Sequence, residues 1–163
     1  MAITPDLTIV IPAYNEEENL KILLPQLIQF VENNNWKIIV TNDGSKDNSK
    51  SLLKNYESSN LLKVINHKLN KGYGAAIKSA IQACDTEYVI TIDADGQHRL
   101  EDVERLYKLV KESDADMIVG SRKGTKDASF MRSLGKSIIR FTAKLMLTVP
   151  VHDINSGMKI YRT

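Results

Sequence analysis

Five short runs rich in β-branched and apolar residues, Leu7 to Ile11, Lys37 to Thr41, Leu62 to Ile65, Tyr88 to Ile92 and Met117 to Val119, are separated by stretches long enough to hold a helix. This alternation constrains the chain more than any other feature. Strands joined by helical crossovers are those of a parallel sheet, whose two faces the helices then cover. The positions Leu20, Leu23, Leu24, Leu27, Ile28 and Val31 share one face of a helix. The stretches Ser49 to Tyr56, Tyr73 to Ala83 and Glu101 to Lys111 repeat that period, and Ser133 to Leu147 is expected as a last helix before Pro150. Asp47 and Gly72 stand near helix starts. The expected fold class is α/β with a mainly parallel central sheet. At 163 residues the chain is expected to form a single domain.

Composition narrows the function classes. A net charge of only +2 supplies no global basic field, so no nucleic-acid partner is expected and any anion site must be local. The lone Cys84 cannot form an intrachain disulfide, which is compatible with a reducing compartment. No stretch of about 18 consecutive apolar residues is present, so no spanning helix is expected within this sequence. The histidines His67, His98 and His152 lack the spacing of a metal site, and no Ser-His-Asp arrangement can be argued from their positions.

In open α/β sheets ligands bind beyond the carboxyl ends of the strands, so the residues after each strand carry the information. Pro12-Ala13-Tyr14-Asn15-Glu16 follows the first run, Asn42-Asp43-Gly44-Ser45 the second, Asp93-Ala94-Asp95-Gly96-Gln97 the fourth and Gly120-Ser121-Arg122 the fifth. Asp93 and Asp95, two apart on an extended segment, project the same way and can face one cation. With Gln97 they offer oxygen ligands suited to Mg²⁺ or Mn²⁺ holding a diphosphate; a turn that ends a strand is the plain alternative. Asp43 is an acceptor suited to a nucleobase ring N–H, or else a turn former like Ser45. Gly72 and Gly74 in Lys71-Gly72-Tyr73-Gly74 would permit close approach of a helix start to the sheet or to phosphates, since the third glycine of a dinucleotide fingerprint is replaced by Ile77. Arg122 and Arg132 are candidate phosphate ligands. Lys136, Arg140 and Lys144 continue a basic stripe, either a solvated helix face or a surface for anionic lipid headgroups.

In order and spacing, Val10-Ile11-Pro12-Ala13-Tyr14-Asn15-Glu16, Asn42-Asp43-Gly44-Ser45, Asn70-Lys71-Gly72-Tyr73-Gly74, Asp93-Ala94-Asp95-Gly96-Gln97 and Gly120-Ser121-Arg122 resemble the family 2 glycosyltransferases. Gln97-His98, Gly120-Ser121-Arg122 and Asp153-Ile154-Asn155-Ser156-Gly157-Met158-Lys159 look most like the dolichol-phosphate mannosyltransferase or polyprenyl-phosphate sugar transferase branch. Asn42 stands where many members carry a second aspartate, and Met158 where an aromatic is common.

The resemblance implies a GT-A-type, Rossmann-like α/β/α sandwich and transfer, with inversion, from a UDP- or GDP-sugar. The acceptor it implies is a polyprenyl or dolichyl phosphate, with a glycan hydroxyl as the alternative. Pro12, Tyr14, Glu16 and Asp43 would contact the nucleoside, and Asp93, Asp95 and Gln97 the Mg²⁺ or Mn²⁺ ion and the diphosphate. Arg122 and Arg132 would bind phosphate, and Asp153 with Ser156 would sit near the acceptor, Asp153 as candidate base. Members of this branch usually continue past the last motif, so a longer protein, working in the cytoplasm or at the cytoplasmic face of a membrane, is expected. A nucleotidyltransferase, or a non-catalytic nucleotide-binding module, is the competing reading.

Overall fold

The computed structural model describes residues 4–113, 115–120 and 156–163. The chain divides into two compact units, Met1–Ile118 with Gly157–Thr163, and Val119–Ser156. The architecture below is that of the first. The predicted helix at 133–147 lies outside the described residues.

The strands are β1 (Leu7–Ala13), β2 (Lys37–Asn42), β3 (Leu62–Asn66), β4 (Tyr88–Thr91), β5 (Met117–Val119) and β6 (Lys159–Arg162). The helices are α1 (Glu17–Asn34), α2 (Ser49–Lys54), α3 (Tyr73–Gln82) and α4 (Leu100–Glu112). The sheet order is β3-β2-β1-β4-β6-β5. Strands β3, β2, β1 and β4 run parallel, with Ile9 level with Ile38 on one side and Ile90 on the other. β6, which the sequence reading lacked, enters antiparallel beside β4, pairing Ile160 with Ile90. It offers only four residues, Lys-Ile-Tyr-Arg, of which Ile160 alone is buried, too short a signal for alternation to stand out.

Side chains alternate across the sheet as strand geometry requires. Leu7, Ile9 and Ile11 of β1 and Ile38 and Val40 of β2 join the main core with Leu20, Leu24, Leu27 and Val31 of α1, Leu53 of α2 and Val103 and Val110 of α4. Val10, Ile39 and Val89 point the other way, where Ala80 of α3 covers them. Helices therefore lie on both faces, in an α/β/α sandwich. The second face closes on an alanine, so α3 lies near the sheet and its first turn starts close to the ends of β1 and β2. An edge-to-face chain of rings, Phe30 to Trp36 to Tyr107 to Tyr88, with centroids 5.6, 5.0 and 5.9 Å apart, docks α4 against the opposite, amino-terminal end of the strands.

Candidate active site

The turns after β1, β2 and β4, together with the start of α3, enclose a cleft of about 400 Å³, within the range of small-molecule sites. Pro12, Tyr14, Glu16, Asp43, Asp93 and Asp95 all line it, joined by Asn70 and Tyr73. Six of the predicted site residues, drawn from three separate turns, thus converge at the carboxyl edge of the sheet.

The first two turns are fastened to each other. The Asn15 amide donates to Ser45 Oγ at 3.0 Å, and the Lys46 amide donates back to Asn15 Oδ1 at 2.7 Å. Asn15 holds a φ of 56°, which Asn tolerates better than most residues. Asp47 accepts the Glu17 amide at 3.0 Å through Oδ2 and the Ser49 amide at 3.0 Å through Oδ1, so one carboxylate caps the first turns of α1 and α2. Burial pushes its pKa up, but the bonds from Ser49 and Glu17 prevail and hold it below the ordinary carboxylate value. Asn42, in place of an aspartate, is buried and donates to Asn66 Oδ1 at 2.9 Å while its own Oδ1 accepts the Ser45 amide at 3.2 Å.

Asp43 is buried at the back of the cleft. Its Oδ1 lies 2.6 Å from His67 Nδ1 and accepts the Lys71 amide at 2.9 Å; Oδ2 accepts the Gly72 amide at 2.7 Å and the Lys71 amide at 3.1 Å. Burial raises the Asp43 pKa, and the bonds from His67, Lys71 and Gly72 outweigh it, keeping the group ionised well into acid. An ionised carboxylate only accepts, so His67 donates from Nδ1, and its Nε2 stands 2.9 Å from Ser79 Oγ. The sequence reading left His67 alone and found no Asp-His-Ser grouping; the fold assembles one from positions 43, 67 and 79. No periodicity or spacing in the sequence signals it, because the three residues meet only through the fold.

Asp93 and Asp95 sit beyond the last hydrogen-bonded residue of β4. Asp93 Oδ1 accepts Tyr73 Oη–H at 2.9 Å, and His98 Nε2 lies 3.2 Å from Oδ2. Asp95 is exposed, and its Oδ1 accepts the Gln97 amide at 3.0 Å across a turn made by Gly96 at φ 68°. Two carboxylates open to one cleft form a hard-oxygen donor set that fits a divalent cation whose remaining positions are filled by phosphate and water. Gln97 is exposed and stands outside the cleft lining. Among the described residues no cluster of three or more His, Cys, Asp or Glu side chains is placed to hold a metal by itself. Arg122, Arg132, Asp153 and the Lys136, Arg140, Lys144 stripe lie outside the described residues.

Close approach to the sheet is not the reason for Gly72 or Gly74, where a Cβ would meet no protein atom within 4 Å; Gly72 is instead required by its φ of 91° at the start of α3. Close approach does govern Gly44, where a Cβ would stand 2.5 Å from the Leu69 carbonyl carbon. Among the described residues no helix is long and apolar enough to cross a membrane.

Residues 8–163 match the model of the Glycosyl transferase family 2. The chain is 34% identical over 171 residues to a dolichyl-phosphate beta-glucosyltransferase of Trichomonas vaginalis, covering 95% of this chain and 52% of that protein. It is 34% identical over 162 residues to an undecaprenyl-phosphate 4-deoxy-4-formamido-L-arabinose transferase of Proteus mirabilis, covering 95% and 48%. The chain thus spans about half the length of these curated relatives. Among solved structures, glucosyl-3-phosphoglycerate synthase from Mycobacterium tuberculosis, in complex with Mn²⁺, UDP-glucose and phosphoglyceric acid, superposes with a TM-score of 0.70 at 17% identity over 97% of this chain and 56% of that one. A Pyrobaculum calidifontis mannosyltransferase in complex with GDP-mannose and Mn²⁺ gives 0.69 at 14% over 99% and 45%. The three-layer fold is accordingly that of the GT-A glycosyltransferases, and with nearly its whole length inside the family's pattern the chain belongs to glycosyltransferase family 2.

Proposed function

We propose that this chain is the donor-binding catalytic domain of an enzyme that transfers a sugar, with inversion, from a UDP- or GDP-sugar to a polyprenyl or dolichyl phosphate at the cytoplasmic face of a membrane. The observation that carries the reading is the meeting of Asp93 and Asp95 with Pro12, Tyr14, Glu16 and Asp43 in one cleft. The names of the relatives, both transferases to polyprenyl phosphates, favour the lipid acceptor.

In this reading Pro12 and the half-exposed ring of Tyr14 form the apolar wall for the nucleoside, with Glu16 and Asp43 at its polar edge. Asp93 and Asp95, with Gln97 as a further oxygen donor, would hold a Mg²⁺ or Mn²⁺ ion for the diphosphate end. The divalent ion, when bound, neutralises charge developing on the leaving diphosphate. Arg122 and Arg132 are proposed as further phosphate ligands, and Asp153 as the residue that serves the acceptor. A lipid phosphate arrives already ionised and attacks the anomeric carbon opposite the leaving group without a base. A hydroxyl acceptor would need one, and Asp153 would supply it.

The test is thermal unfolding with UDP- and GDP-sugars, with and without Mn²⁺. A ligand that binds only the native state raises its stability, so one donor should shift the midpoint by several degrees, and more with the metal. Absence of any shift with every donor would reject the reading. Transfer to undecaprenyl phosphate rather than to oligosaccharide hydroxyls then separates the two acceptors.

A further inference from the structure

His67 is almost fully buried, with 5% of its side chain exposed, yet it is held by polar groups on both ring nitrogens: Asp43 from the end of β2 at 2.6 Å and Ser79 from the middle of α3 at 2.9 Å. The ring itself does not line the cleft; its partner Asp43 does. That carboxylate has about four lone-pair sites, and three donors, His67 Nδ1 and the amides of Lys71 and Gly72, hold it. The loop so held is also seated on the turn beneath it, since Gly44 approaches Leu69 and Asn70 too closely to admit a Cβ. At its far end the loop delivers Asn70 and Tyr73 to the cleft, and Tyr73 Oη reaches Asp93 at the other side.

We propose that His67 is a positioning residue for the donor cleft: clamped between Asp43 and Ser79, it fixes the carboxylate that pins the Lys71 and Gly72 amides, and thereby sets where Asn70 and Tyr73 stand. The inference rests on the cleft being the donor site and deepens that reading. The Asp43-His67-Ser79 line has the order of a hydrolytic triad but not its use. Ser79 lies outside the cleft lining and within the body of α3, where its hydroxyl serves as the second anchor of the ring.

The test compares wild type with H67L, H67N and S79A by amide hydrogen exchange and by binding of UDP and GDP in the presence of Mn²⁺. H67L removes both ring bonds at similar volume; H67N keeps an N–H near the position of Nδ1; S79A releases only the outer anchor. Loss of a hydrogen bond to a charged group corresponds to about tenfold in an equilibrium. H67L should therefore exchange the Lys71 and Gly72 amides about tenfold faster, with the β1 and β4 amides unchanged, and bind the preferred nucleotide about tenfold more weakly. H67N should recover most of both losses, and S79A should show a smaller change of the same sign. Wild-type exchange at Lys71 and Gly72 in H67L, or in S79A where H67L does not fold, overturns the proposal, as does wild-type nucleotide binding by a variant whose loop exchanges faster. Should wild type bind neither nucleotide, the donor-site reading falls, and the exchange result alone decides whether His67 holds the loop.

Discussion

Gly157 lies flat against the carboxylate of Asp93, so that a Cβ built at position 157 would stand 2.6 Å from Asp93 Cγ. The same segment is fixed by Thr91, whose hydroxyl donates to the Gly157 carbonyl at 2.7 Å. Asp93 is thus backed by main chain on one side and held by Tyr73 on another. Replacing Gly157 by Ala must move either the carboxylate or the backbone beneath it. Overpacking of this kind costs about 1–3 kcal/mol. G157A should weaken Mn²⁺ binding in the presence of nucleotide and reduce transfer by about two orders of magnitude, while its far-ultraviolet circular dichroism stays that of wild type. Normal transfer would mean that Asp93 needs no such backing.

Gly44 combines two restrictions. Its φ of 69° disfavours any side chain, and a Cβ would meet the main chain of Leu69 and Asn70 at 2.5 to 2.9 Å. A left-handed conformation costs a non-glycine residue about 1–2 kcal/mol, and a backbone clash cannot be relieved by a change of rotamer. G44A should lose about 2–4 kcal/mol in urea unfolding. G74A is the control, because a Cβ there meets nothing within 4 Å.

The sequence disclosed most of this frame and less of what holds it. Four parallel strands were legible because each reads as a short apolar run, buried throughout in β1 and β4 and half-exposed in the edge strand β3, and their ends fell within two residues of the observed ones. The convergence of Pro12, Tyr14, Glu16, Asp43, Asp93 and Asp95 followed from topology, since parallel strands put their carboxyl ends on one edge. Pairings across distance were not legible. His67 meets Asp43 over 24 positions, and Tyr73 meets Asp93 over 20, through side-chain reach that periodicity does not record. The tight contact at Gly44 was likewise invisible, because a glycine demanded by φ and one demanded by a neighbour look alike in sequence.

Asp47 makes the stability of the fold depend on acid. Its folded pKa is depressed below the unfolded value of about 3.9, as is that of Asp43. A depressed carboxylate contributes stability that is fully present above the unfolded pKa and is lost as pH falls through the folded one. Urea midpoints should therefore be insensitive to these groups near neutrality and fall steeply below about pH 4. Removing one helix cap costs about 1 kcal/mol, so D47A, which uncaps α1 and α2 together, should cost about 2 kcal/mol at pH 7. Its acid limb should be shallower than that of wild type; a limb of unchanged slope would count against the double cap.

Asp95 separates chemistry from folding more cleanly than any other residue in the cleft. It is exposed, and its structural duty is to accept the Gln97 amide through Oδ1. An asparagine oxygen can accept the same bond, so D95N should keep the turn at Gly96 and unfold with the wild-type midpoint. What it removes is one of the two negative charges, on Asp93 and Asp95, that the proposed function assigns to a divalent cation. Preorganised charge at a leaving group contributes several kcal/mol to a transition state, and losing one such element lowers turnover by about two to three orders of magnitude. The expected signature is turnover lowered to that extent, with weaker Mn²⁺ binding and metal-free nucleotide affinity unchanged or improved. Near-normal turnover would remove Asp95 from the catalytic set, and a lowered midpoint would show that its carboxylate serves the fold instead.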